Sequence, residues 1–168
     1  MKNLILGTAL TAFLLGVFET AVLSHIRFLP MLPDMVLILV IYIALYNGTA
    51  AGAVTGFSAG LIFDFLSLAP FGLHSFIFTL LGFLYGLLCG KYHIRRFFFP
   101  LILGFSATIL KALCLFLLRF LFGQAIQVYD ILSFVFWFET VFNACCTPLL
   151  FGLFGLFPAA FQTQEIRS

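Results

Sequence analysis

Long apolar runs, each close to the length that crosses a bilayer, constrain this chain more than any other feature. From Leu4 to Leu23 only one charged side chain occurs, Glu19. A helix rises about 1.5 Å per residue, so roughly 20 apolar residues cover a hydrocarbon core of roughly 30 Å. Charged residues make up 8% of the chain and hydrophobic ones 64%, whereas a soluble domain carries about 25% charged residues. A soluble fold of 168 residues keeps much of its surface wet and has nowhere to hide so much apolar area. The expected fold class is all-α, a polytopic membrane protein with one integral membrane domain over 1–168. The 25 Phe residues suit a lipid-facing surface.

Six spans are expected, over about 4–23, 33–46, 49–66, 73–90, 97–122 and 131–157. Lys2 ahead of the first run also fits a signal peptide. That run is long enough to span, however, and no A-x-A site follows it, so it reads as a retained first helix. SHIRFLP (Ser24 to Pro30) is a short polar break. Pro33-Asp34 then opens a helix, since Pro suits a first turn and an early Asp complements the helix dipole. Asn47-Gly48 is a turn signal. Residues 33–66 are too many for one span and tight for two, and they read as a helical hairpin. The most charged stretch is KYHIRR, Lys91 to Arg96. With the N-terminus in the cytoplasm, Lys2, Lys91, Arg95, Arg96 and Arg167 lie inside and Arg27 lies in an outer loop. The positive-inside bias therefore predicts an inner-membrane protein with both termini cytoplasmic.

Small residues recur every fourth position at Ala44, Gly48, Gly52, Gly56 and Gly60, and Asp64 closes the series. A step of four keeps residues on one ridge of a helix. Glycines on that ridge let another backbone lie close. That neighbour is either another helix of the same bundle or a partner protein. Gly82, Gly86 and Gly90 repeat the step in the next span.

In the six-span topology the polar residues gather in the outer half: Glu19, Asp34, Asp64, His74 and Arg119. Ionisable groups in a membrane segment are costly and are functional candidates by default. Asp34 reads as a helix-start residue or as a binding group. Asp64 reads as a cap for neighbouring loop amides or as a partner contact. Glu19 and Arg119 are near enough to span ends to snorkel. Glu139 lies about 12 Å below the outer end of its span and Lys111 about 16 Å below that of its own. Their similar depth predicts a Lys111–Glu139 ion pair facing the interior.

Little in the sequence points to chemistry. Cys89, Cys114, Cys145 and Cys146 sit in apolar segments without C-x-x-C spacing and read as small buried hydrophobes. His25, His74 and His93 are far apart in sequence. No H-E-x-x-H, P-loop or nucleophile–base pattern is present, so neither an enzyme nor a cofactor or metal is expected. A net charge of +2 without a basic, aromatic-interleaved run argues against nucleic acid.

Pro33-Asp34, Ala44-Leu45-Tyr46 with Gly48, Gly52, Gly56-Phe57, Gly60-Leu61, Asp64, Phe71-Gly72-Leu73-His74 and Gly82-Phe83-Leu84 with Gly86 resemble, in order and spacing, the rod shape-determining protein MreD family. Asn143 and Pro148 resemble its last helix more loosely. The resemblance implies a non-enzymatic scaffold of the cell-elongation machinery. Such a protein binds the bitopic MreC and helps link MreB filaments to the RodA glycosyltransferase and its transpeptidase, so regulating cell shape and peptidoglycan synthesis. It also implies a likeness in fold to the six-helix substrate-binding subunits of energy-coupling-factor transporters. The glycine ridge with Asp64 would then be a packing and docking region, and the outer polar cluster a groove for a partner segment or membrane lipid. The alternative is a vitamin-uptake subunit. Ala9, Ala12 and Ala21 lack the Ala-x-x-x-Ala spacing such subunits use in their first helix.

Overall fold

A computed structural model describes residues 2–22, 33–67, 69–91, 98–123 and 126–161, and every regular element among them is helical. Helix α1 (Lys2–Val17) ends in a π-helical turn, Phe18–Val22. Then follow α2 (Met35–Leu66), α3 (Leu73–Gly86), α4 (Phe98–Phe122), α5 (Phe134–Gly155) and the short α6 (Pro158–Phe161). The polar break at 24–30, the basic residues at 92–96 and the tail at 162–168 lie outside the described residues. With them go His25, His93, Arg27, Arg95, Arg96 and Arg167, most of the basis for the orientation.

Among the described residues, four segments are long and apolar enough to cross a membrane: Leu4–Ala21, Met35–Leu66, Phe98–Phe122 and Phe134–Gly155. Leu73–Gly86 is a shorter apolar helix. It stops four residues before the expected end of its span, and Gly90 lies beyond it at φ +72°, outside the repeating ridge.

Helix α2 is not one straight rod. At Gly48 the backbone takes φ 87°, ψ −175°, a region essentially restricted to glycine. A helix continuous through Gly48 would hold Ala44 and Gly52 about 12 Å apart. Instead, a Cβ built on Gly52 falls 2.7 Å from the Ala44 Cβ. The chain reverses at Gly48, and the two halves of α2 form a hairpin. Asn47 secures the turn by donating from Nδ2 to Ile43 O at 2.9 Å and to Phe161 O at 2.7 Å, which ties α6 to this end.

The first half of α2 is the core of the protein. Every residue from Val36 to Leu45 is buried, as expected for a helix that is apolar all round. Tyr42 packs against the rings of Tyr46, Phe151, Phe154 and Phe161. The second half carries the glycine ridge, and α3 lies on it. A Cβ added at Gly56 would meet the Phe78 carbonyl, one at Gly60 would fall 2.5 Å from Ser75 Cα, and one at Gly52 would strike the Gly82 carbonyl. Facing it, a Cβ on Gly86 would fall 2.5 Å from Thr49 Cα. The ridge is thus occupied within the chain, the internal one of its two readings. Helices α4 and α5 meet where Gly104 admits Thr147 and the Asn143 carbonyl.

Polarity is turned inside out relative to a soluble protein. Thr8, Thr55, Ser75, Thr108, Thr140, Asn143 and Thr147 are buried, as are Glu19, Asp34, Asp64, Lys111 and Glu139. Large apolar side chains such as Phe57, Phe65, Phe98, Phe116 and Phe120 face outward. That distribution fits a hydrocarbon surrounding. The cysteines depart from expectation: Cys114 is buried, but Cys145 is exposed and Cys89 and Cys146 are intermediate. Cys145 falls on the outward, apolar side of α5, where a thiol serves as a small hydrophobe without being covered by protein.

Candidate functional site

The reversal at Gly48 returns the chain to the end of the bundle where α2 began. Asp34 is the N-cap of the core helix and accepts from Leu37 N at 2.9 Å. Its other oxygen takes Lys111 Nζ of α4 at 2.6 Å. Its backbone N–H donates to Asn143 Oδ1 of α5 at 2.9 Å, and Asn143 Nδ2 donates to Thr108 Oγ1 of α4 at 3.0 Å. One residue therefore ties the core helix to both α4 and α5. The helix-start reading of Asp34 is the one seen here, and the same carboxylate is the close partner of a buried cation.

Lys111 also reaches Glu139 Oε1, at 3.8 Å. The expected Lys111–Glu139 contact is present as the looser of two, and Asp34 is the nearer partner. Glu139 Oε1 accepts the Tyr129 hydroxyl at 2.8 Å, and Lys111 Nζ lies 5.8 Å from the centre of the Tyr129 ring. Burial, reinforced by the Glu139 carboxylate against the opposing pull of Lys111, pushes the Tyr129 hydroxyl up to about 12. Tyr129 thus stays a protonated donor at neutral pH.

Glu19 completes the cluster. It is 6% exposed, so it does not snorkel. It lies within electrostatic range of Asp34, Lys111 and Glu139. Its place at the end of α1 is set by the π-helical turn Phe18–Val22, a local change of register often found at functional sites. Arg119 is half-buried.

Asp64 serves the start of α3. Its carboxylate accepts from the backbone N–H groups of Gly72, His74 and Ser75 at 3.0, 2.9 and 3.1 Å. It also accepts the Ser75 hydroxyl at 2.7 Å and pairs with His74 Nδ1 at 2.9 Å. This is the capping reading of Asp64. Gly72 permits it by taking φ +93° just before the helix. The His74 ring packs edge-on against Phe63 and Phe78 and lies within electrostatic range of Lys111 and Asp34. The two acidic centres therefore share one end of the bundle.

The chain matches the family model described as rod shape-determining protein MreD over residues 1–157. The chain belongs to the MreD family. No curated protein and no solved structure matches it. This MreD family member is therefore a rod shape-determining membrane protein.

Ser75, His74 and Asp64 are the residue types of an acyl-transfer triad, but their wiring differs. In a triad the imidazole lies between hydroxyl and carboxylate and takes the hydroxyl proton. Here the Ser75 hydroxyl and the His74 imidazole both bind the carboxylate directly, so the imidazole does not lie between the other two. Asp34, Asp64, His74, Lys111 and Glu139 were legible as candidates in this MreD sequence. Glu19 was legible in the same outer polar group, as a residue near enough to a span end to snorkel. The roles of Thr108 and Tyr129 carried no signal, because an isolated Thr in an apolar helix and a Tyr in a loop are ordinary.

Proposed function

We propose that this MreD family member is a non-enzymatic inner-membrane scaffold of the rod complex. In this reading both halves of the α2 hairpin and α3 cross the bilayer together with α1, α4 and α5, giving six crossings with both termini in the cytoplasm. The layout would resemble the substrate-binding subunits of energy-coupling-factor transporters. The polar end of the bundle, around Asp34, Asp64 and His74, receives a segment of a bitopic MreC-like protein. Through it the subunit links MreB to the RodA-type glycosyltransferase and its transpeptidase and so regulates peptidoglycan synthesis, with lipid around the apolar exterior.

The supporting observation is that the ionisable side chains inside the bundle converge on one end and fix α2, α3, α4 and α5 relative to one another there. A rigid end with a defined charge pattern suits recognition. The glycine ridge supports that end from within, since its open face is taken by α3.

The test is depletion of the protein in a rod-shaped host, with co-purification of the MreC-like protein. Rounding of the cells and capture of that protein by the wild type are expected. Normal shape on depletion would overturn the reading, and loss of vitamin uptake with normal shape would favour the transporter alternative.

A further inference from the structure

At the start of the core helix the carboxyl groups outnumber the cations among the described residues. Glu19, Asp34 and Glu139 have a single ammonium, Lys111, as their common neighbour there. The helix N-terminus adds about half a positive charge, which does not make up the difference in number. Lys111 is committed to Asp34 at 2.6 Å and reaches Glu139 only at 3.8 Å. Among the described residues two carboxyl oxygens find no hydrogen-bond partner, Glu19 Oε2 and Glu139 Oε2. Their residues are 6% and 1% exposed. An unsatisfied buried acceptor costs about 1–3 kcal/mol, and more when charged.

The neighbouring groups do not fill the gap. Tyr129 already donates to Glu139 Oε1, Asn143 donates to Thr108, and His74 is paired with Asp64. Among the described residues no three Asp, Glu, His or Cys side chains are placed to hold a metal ion. What the two oxygens lack is a hydrogen-bond donor, and a cationic N–H group supplies donors together with charge. An ammonium offers three such donors, and a guanidinium offers a planar fork that can serve two carboxylates.

We propose that Glu19 and Glu139, beside the Asp34–Lys111 pair, bind the protonated amine or guanidinium group of a ligand. The group comes either from a free amine or from a basic side chain of the docked partner segment. The second source rests on the docking reading above.

The test uses the full chain in lipid nanodiscs. Its thermal unfolding is followed with n-butylguanidinium and n-butylammonium, and with the uncharged n-butylurea and n-butanol as controls. A charged probe at ten times its Kd is expected to raise the unfolding midpoint saturably by about 3–6 °C, and the uncharged probes to leave it unchanged. The shift is expected to vanish in both Glu19→Gln and Glu139→Gln. Equal effects of charged and uncharged probes on the wild type overturn the proposal, and so does a full shift retained in both variants. If a variant does not fold, the wild-type comparison still decides. Addition of the MreC-like protein then separates the sources. Its displacement by butylguanidinium assigns the site to a basic side chain, and co-existence of the two assigns it to a free amine. Absence of any partner binding sinks the docking reading and leaves the probe result standing.

Discussion

Lys111 donates from Nζ to Asp34 Oδ2 at 2.6 Å across 77 positions of sequence. Both residues are buried, so removing one strands the other's charge. Such an uncompensated charge costs about 3–5 kcal/mol. Lys111→Met and Asp34→Asn are each expected to lower stability by about that much. The double variant is expected to lose about 1–3 kcal/mol less than the sum. Equilibrium unfolding in micelles provides the double-mutant cycle, and additivity within about 0.5 kcal/mol would contradict the pairing.

The Gly56 position meets the backbone of α3, with a built Cβ 2.7 Å from the Phe78 carbonyl carbon. Backbone cannot yield as a flexible side chain can. Gly56→Ala is expected to cost at least about 1–3 kcal/mol by overpacking, and Gly56→Leu to prevent folding. Gly152 has open space around it, so Gly152→Ala serves as a control expected to be neutral or up to about 1 kcal/mol stabilising. Monodispersity and melting temperature in detergent report both.

The turn at Gly48 has a different requirement. No described residue lies within 4 Å of its added Cβ, but its φ is +87°. The cost of Gly48→Ala is therefore conformational, about 1–3 kcal/mol, and should not depend on further side-chain size. Ala, Ser and Leu at this position are expected to destabilise alike. A graded loss with size would mean that packing, not backbone strain, governs the turn.

Tyr129 links burial to pH. Its hydroxyl is raised to about 12 in the folded protein, above about 10 in an unfolded chain. The unfolded state therefore loses its proton first. This contribution is fully present below about pH 10 and disappears as pH rises toward 12. Tyr129→Phe is expected to be less stable by about 1–3 kcal/mol at neutral pH, since Glu139 loses its donor. It should also show a shallower decline between pH 10 and 12 than the wild type. Identical slopes would contradict the burial that raises the Tyr129 hydroxyl.

Much of the fold was legible because glycine and charge leave few alternatives in an apolar chain. Asn47-Gly48 announced the reversal, and the step of four announced the ridge that α3 occupies. The main partner of Lys111 was not legible. Depth counted from span ends matched Lys111 to Glu139. The Met35–Asn47 half of α2 is only about 20 Å long, whereas α4 is about 37 Å. The start of the core helix is therefore free to sit recessed within the bundle, level with Lys111, and a count along isolated helices cannot show that. Glu19 stood in the outer polar group, but its burial beside Asp34 was not legible for a related reason, since a π-helical turn sets its position at the end of α1.

In-cell photocrosslinking tests the docking claim most directly. A photoreactive residue replaces Phe71, exposed beside the Asp64-capped start of α3, or Leu153, exposed near the Gly48 end. In cells that keep their rod shape, a crosslink to the MreC-like protein is expected from position 71 and not from 153. A crosslink from 153 alone would contradict docking at the polar end.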